Sequence, residues 1–325
     1  MKIPRRKFLH LATGAAALPA MTRFAWADDY PSRPVRIVAG YAAGGPTDIA
    51  ARLLAQSLSQ RLHQQFVVED QPGAGSNLAT ETVVHAPPDG YTLLLVTQSN
   101  AINATLYDNL KFNFIRDIAP IASLMSAPSV MEINPSVPAK TVPEFIAYAK
   151  ANPGKINMAT AGNGNPPHMF GELFKAMAGV DLPAVAYRGG GPALVDLLGG
   201  QVQVMFEGIT SSIEYLRTGK LRALAVTSAA RSAVLPDVPA VGEFVPGYDA
   251  TGWFGVGAPK DTPTPIIEAL HQEVNAALAD PAMKARLADL GADPMPMTLA
   301  EFDKLIADET DKWGKVIREA SIKAE

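Results

Sequence analysis

Val35-Arg36-Ile37-Val38-Ala39-Gly40-Tyr41-Ala42-Ala43-Gly44-Gly45-Pro46-Thr47-Asp48 is the stretch that decides the fold class. Its first five residues are a short run rich in β-branched side chains, which reads as a strand. Ala42 to Thr47 is a turn of small residues. From Asp48 the apolar positions Ile49, Leu53, Leu54, Leu58 and Leu62 recur at helical spacing. A strand, a glycine turn and a helix in this order form half of a βαβ unit, so the chain belongs to the α/β class with mainly parallel strands.

The same alternation continues outward. Phe66-Val67-Val68 and Tyr91 to Val96 read as strands, separated by a Pro72-Gly73-Ala74-Gly75 turn and a helix. Ile156 to Thr160, Val202 to Phe206 and Leu221 to Val226 are further strands. Met169, Phe170, Leu173, Phe174 and Met177 make a helical stripe suited to a core. Thr141 with Glu144, and Thr298 with Glu301, have capping-box spacing and mark helix starts; another helix follows Thr264-Pro265. This many βα units suggests two domains, with a boundary at Ser126–Val130 around Ala127-Pro128 and a return near Pro246-Gly247.

The amino terminus reads differently. Arg5-Arg6 precede Lys7-Phe8-Leu9, an apolar run follows to Ala20, and Ala25-Trp26-Ala27 fits signal-peptidase cleavage. Residues 1–27 are therefore expected to be an export signal, either of twin-arginine type or an ordinary secretory one whose basic start happens to hold two arginines. The apolar run, broken by Gly14 and Pro19, is too short to span a bilayer. Cleavage would remove five of the 28 basic residues and none of the 32 acidic ones, leaving a net charge of about −9. So acidic a chain lacks the basic face that nucleic-acid binding needs. With no cysteine in its 325 residues, it has no disulfide, thiolate metal site or cysteine nucleophile.

Enzyme signatures are missing too: no G-x-S-x-G elbow, Walker-type phosphate loop, G-x-G-x-x-G or H-E-x-x-H. The four histidines after the export signal, His63, His85, His168 and His271, are scattered. What stands out instead is a pair of strand-to-helix loops, at Gly44-Gly45 and at Gly162-Asn163-Gly164-Asn165-Pro166-Pro167. Helix starts carry unpaired N–H groups and partial positive charge, so each is either a plain tight turn or half of an anion site. In the first loop Thr47 can cap the helix that Asp48 opens. A third turn, Tyr187-Arg188-Gly189-Gly190-Gly191-Pro192, adds Arg188, either a bidentate carboxylate partner or a solvated rim residue. His168 is either a donor to ligand or part of the helix start.

Several segments in order carry a resemblance: Tyr30-Pro31-Ser32-Arg33-Pro34-Val35-Arg36-Ile37-Val38, Ala43-Gly44-Gly45-Pro46-Thr47-Asp48, Val67-Val68-Glu69-Asp70-Gln71-Pro72-Gly73-Ala74-Gly75, Asp89-Gly90-Tyr91-Thr92, Asn134-Pro135-Ser136-Val137-Pro138, Leu197-Leu198-Gly199-Gly200-Gln201-Val202 and Gly219-Lys220-Leu221-Arg222-Ala223-Leu224-Ala225. With Ala161-Gly162-Asn163-Gly164, His168 and Gly171-Glu172-Leu173-Phe174, this series resembles the Bug-type extracytoplasmic receptors of tripartite tricarboxylate transport systems across the whole chain after the export signal.

The resemblance implies a two-domain periplasmic-binding-protein fold of type II-like α/β architecture, with the ligand in the interdomain cleft. The first domain would span residues 28–127 plus 248–325 and the second residues 128–247. It implies a periplasmic, non-enzymatic receptor, expected to be monomeric, that needs no cofactor or metal and passes a small organic carboxylate to membrane transporter subunits. A ligand-sensing partner of a membrane kinase is the alternative, and an exported hydrolase the more distant one. The ligand contacts expected on this basis are Ala43, Gly44, Gly45, Thr47, Asp48, Ser99, Thr160, Gly162, Asn163, Gly164, His168, Tyr187, Arg188 and Glu207. Pro46, Asn165-Pro166-Pro167 and Glu207 depart from the family's common pattern. Glu207, if ionised toward the ligand, would disfavour a second carboxylate or pair with a cationic group; otherwise it is a rim glutamate in solvent or one paired with a basic neighbour.

Overall fold

The computed structural model describes residues 30–319 and 322–323. The proposed export signal lies outside them. The first half of the fold holds strand β1 (Val35–Ala39), helix α1 (Pro46–Leu62), β2 (Phe66–Asp70), α2 (Asn77–Val84), β3 (Thr92–Thr97), α3 (Gln98–Leu106) and the short α4 (Phe114–Asp117). Then come the long β4 (Ile118–Ile133), α5 (Val142–Ala151), β5 (Met158–Thr160), α6 (Pro166–Ala178), β6 (Ala184–Ala186), α7 (Gly190–Leu198), β7 (Val204–Gly208), α8 (Ile209–Arg217) and β8 (Arg222–Val226). The chain returns through β9 (Thr251–Pro259), α9 (Thr264–Ala279), α10 (Pro281–Asp289), β10 (Asp293–Pro294) and α11 (Leu299–Glu319).

The local signals act as their chemistry requires. Thr141 Oγ1 accepts from Glu144 N at the start of α5, while the Glu144 carboxylate accepts from Lys140 N. Thr298 and Glu301 close their box reciprocally. At α1 the reading shifts. Gly45, not Thr47, is the N-cap, because Pro46 with its fixed φ and absent N–H suits the first helical position. Asp48 reaches back to accept from Gly44 N at 2.9 Å.

The strands run in the order β2-β1-β3-β9-β4-β7-β5-β6, with β8 and β10 also pairing with β4. The parallel pairs lie toward the two ends, β2-β1-β3 and β7-β5-β6. The centre is antiparallel, which corrects the expectation of mainly parallel strands. β4 pairs with β9 from Ile118 to Pro128, then with β7 from Ser129 to Ile133. The change of partner falls between Pro128 and Ser129, within one unbroken strand. Two prolines are tolerated there because bulges interrupt the β4–β9 register near Pro120 and Pro128 closes the ladder.

The apolar interior reflects this sharing. One cluster gathers β1, β3, β9, α1 and α9, and also takes Ile209 and Ile213 from α8. Another centres on Phe145, Phe170, Phe174, Phe206 and Tyr248, and takes Trp313 and Ile317 from the carboxyl-terminal helix. The helical stripe of α6 enters this core through Met169, Phe170 and Phe174, whereas Met177 is 39% exposed.

Candidate ligand cavity

Five strand ends hand the chain to a helix start at one place. The starts of α1 at Gly45 and Thr47, α3 at Thr97 and Ser99, α6 at Asn165, α7 at Gly190 and α8 at Gly208 all line one small cavity, with about 50 Å³ open to the centre of a water-sized sphere. Its walls are completed by Tyr41, Ser129, and Trp253 and Phe254 of β9. The open end of an α/β sheet, beyond the strands' carboxyl ends, is where ligands settle, and each helix start adds positive potential. Among the described residues, no Arg, Lys or His lines this cavity. Its polarity comes from backbone and from hydroxyl, amide and carboxyl groups.

The loops behave differently from one another. In the first, Gly45 and Thr47 stand at the helix start, where their amides have no partner within the helix. In the second, α6 opens with Pro166 and Pro167, which have no N–H, and Asn165 Oδ1 already accepts from His168 N at 2.8 Å. That helix start therefore contributes its dipole but no free amide in its first turn. His168 Nδ1 accepts from Gly164 N at 3.2 Å, tying the loop to its own helix, and Nε2 lies 3.8 Å from Glu172.

The third turn is the direct neighbour of the first. Arg188 O accepts from Ala42 N at 3.0 Å, and Gly190 and Gly191 pack against Gly45 and Ala43. The second loop instead meets α3, where Tyr107 Oη donates to Asn163 O at 3.4 Å.

Of the residues expected from sequence, Gly45, Thr47, Ser99 and Glu207 line the cavity. Ala43, Gly44, Gly162, Asn163 and Gly164 shape the loops around it. Asp48 is engaged with Gly44 N and Arg52. Thr160 is buried behind the second loop, its carbonyl accepting from Tyr187 N. The Tyr187 hydroxyl turns to Asp196 at 2.6 Å, and Arg188 is exposed outside the cavity.

Three lining residues carry a buried side-chain atom with no protein partner: Thr97 Oγ1, Asn165 Nδ2 and Glu207 Oε2. A buried polar atom without a partner calls for an explanation, and a polar ligand in the cavity would supply one for these three. Tyr41 donates to Ser99 Oγ at 2.6 Å, and burial pushes its phenol up, so it stays neutral. Glu207 is wholly buried; burial raises its carboxyl from 4.5 to about 7. Tyr41, Gly190 and Gly208 stood close to quoted motifs. Trp253 and Phe254 carried no local signal, because they reach the site only through β9's pairing with β3 and β4.

The model of the tripartite tricarboxylate transporter family receptor matches residues 50–322. The chain belongs to that family. It is 36% identical to protein BugT of Bordetella pertussis over 318 residues, covering 97% of this chain and 96% of BugT. Among solved structures, it resembles Rhodopseudomonas palustris Rpa4515 with adipate, at 34% identity and a TM-score of 0.88, over 91% of this chain and 99% of that one. It also resembles MatC from Rhodopseudomonas palustris with bound malate, at 34% identity and a TM-score of 0.85, over 89% and 100%. The tripartite tricarboxylate transporter receptors are periplasmic solute-binding proteins without catalytic activity, and this chain is one of them.

Proposed function

We propose that this receptor captures its small organic carboxylate in the cavity where the five helix starts converge, and closes on it before delivery to the membrane transporter. The observation that carries this reading is a partly open, helix-start-lined cavity with unpaired polar atoms and, among the described residues, no cationic side chain. Such a site suits an anion held by amides and hydroxyls rather than by a salt bridge. Gly45 and Thr47 would donate amides, Ser99 and Thr97 hydroxyls, and Asn165 its Nδ2. Gly162, Asn163, Gly164, His168, Tyr187 and Arg188 would set the loops that close over the ligand.

Closure would be a hinge motion between residues 28–127 plus 248–325 and residues 128–247, with β4 at Pro128–Ser129 as one of the crossing segments. Adipate and malate, found with relatives, make four- to six-carbon diacids the first candidates. The protein would act as a monomer and bind no nucleic acid, in line with its acidic charge.

A thermal-shift screen of mono-, di- and tricarboxylates, amino acids and aromatic acids tests the reading. A ligand at 100 times its dissociation constant stabilises by about 2.7 kcal/mol, which raises the melting temperature by several degrees. A screen in which only non-carboxylate solutes raise it would refute the proposal.

A further inference from the structure

We infer that Glu207 takes part in capture as a neutral carboxylic acid that donates a hydrogen bond to a ligand carboxylate oxygen, so that binding is linked to one proton. This deepens the proposed carboxylate capture and rests on it.

Glu207 ends β7 at the cavity wall and has no exposed surface. Its Oε1 accepts from Ser211 Oγ at 3.0 Å, while Oε2 has no protein partner. The carboxyl group is wedged under the start of α7. A Cβ added at Gly190 would lie 2.4 Å from Oε1 and 2.9 Å from Oε2, so the group has little room to turn away.

Among the described residues, the groups packed around it bring no cation. From α8 comes the hydroxyl of Ser211; from the end of β7 itself, the Gly208 backbone; from α7, Gly190; from α1, Pro46, which packs on Gly208. From β4 comes Glu132, which shares the sheet face because Met205 pairs with Glu132 and Val130 with Glu207. Glu132 is also fully buried; its Oε1 accepts from Ser212 Oγ at 2.7 Å and its Oε2 has no partner. Asp48, the nearest acid on α1, is held by Gly44 N and Arg52.

Two buried carboxyls on one face and an incoming carboxylate cannot all be ionised where water is excluded. Neutral Glu207 removes the conflict and converts an unpaired acceptor into a donor for the ligand. Burial has already raised its affinity for a proton, to about 7 in the absence of ligand, and a bound anion raises it further. Below that point the proton is in place before the ligand arrives, and affinity is flat. Above it, binding must take a proton from solvent, and apparent Kd rises by up to about tenfold per pH unit.

Acetate, succinate, malate and adipate serve as probes, titrated calorimetrically at about pH 7 and about pH 9, where the acids themselves no longer titrate. Buffers of different ionisation enthalpy report the protons exchanged. For each probe that binds, Kd should rise at least about tenfold at the higher pH, with close to one proton taken up. Glu207→Gln, whose Nε2–H donates at every pH, should bind the same probes with no such dependence and no uptake. Binding of wild type without proton uptake, or tighter binding at the higher pH, overturns this inference and leaves carboxylate capture standing. No binding of any probe by wild type at either pH overturns both. The wild-type proton count decides the matter even if the variant folds poorly.

Discussion

Gly191→Ala separates folding from closure. Gly191 lies in the first turn of α7, where alanine is favoured over glycine by about 0.5–1 kcal/mol, and its φ is not left-handed. Within its own helix the substitution is therefore harmless. Across the cavity mouth it is not. The added Cβ would sit 2.2 Å from Ala43 O and 3.3 Å from Ala43 C, both backbone atoms that no rotamer can move.

Restoring a normal contact requires the two loops to part by about 1 Å. That stretches the 3.0 Å bond from Ala42 N to Arg188 O beyond hydrogen-bonding length. The lost bond is worth about 1 kcal/mol and the overpacking about 1–3 kcal/mol. If ligand binds the closed form, closure becomes costlier by about 2–4 kcal/mol, and Kd rises roughly 30-fold at the lower end. Calorimetry gives the affinity, and small-angle scattering with and without ligand gives the compaction. Gly199→Ala is the control: it lies just past the other end of α7, and its Cβ meets only that helix's carbonyls, at 3.4 Å or more. Wild-type affinity and compaction in Gly191→Ala would show that this contact plays no part in the liganded state.

Gly45→Asp puts a Cβ 3.2 Å from Gly190 N and a carboxylate where the ligand anion is proposed to sit, so ligand-induced stabilisation should vanish with the fold intact; unchanged thermal shifts would rule the loop out of the site. Between about 4.5 and about 7 the folded protein holds a proton on Glu207 that the unfolded chain has lost, so stability falls as pH rises through that window and levels off above it. Glu207→Gln should remove that loss, about 3 kcal/mol, visible in urea unfolding at about pH 5 and about pH 8; equal pH slopes for the two proteins would contradict the burial argument. Phe174→Ala empties the centre of the aromatic cluster, where Phe174 meets Phe145, Phe206 and Tyr248, and should cost about 3–5 kcal/mol in the same assay.

The units that were legible in the sequence are those whose causes are local. The strand at Val35–Ala39, the helix stripe from Ile49 to Leu62 and the caps at Thr141 and Thr298 depend on side chains within one or two turns of each other. The Gly44-Gly45 loop could be picked out for the same reason, since its glycines and Pro46 shape the backbone wherever the loop lies. Even there, reading one residue at a time placed the cap at Thr47. Pro46 defines the start of the helix, and Asp48 reaches back to Gly44 from inside it.

Long-range pairing settled the rest. The end of β4 read as a break because of Ala127-Pro128; only pairing with β9, more than a hundred residues later, makes it a strand and makes the centre of the sheet antiparallel. That pairing brings Trp253 and Phe254 to the cavity and sets the first loop against Gly190 and Gly191, a juxtaposition that no spacing along the chain encodes. Glu207 is the sharpest case. Sequence placed it at a strand end and left its charge open, because the energy of a carboxyl depends on what surrounds it. The tertiary structure buried it under α7, beside Glu132 and, among the described residues, with no cation against it, and desolvation then decided that it favours its proton.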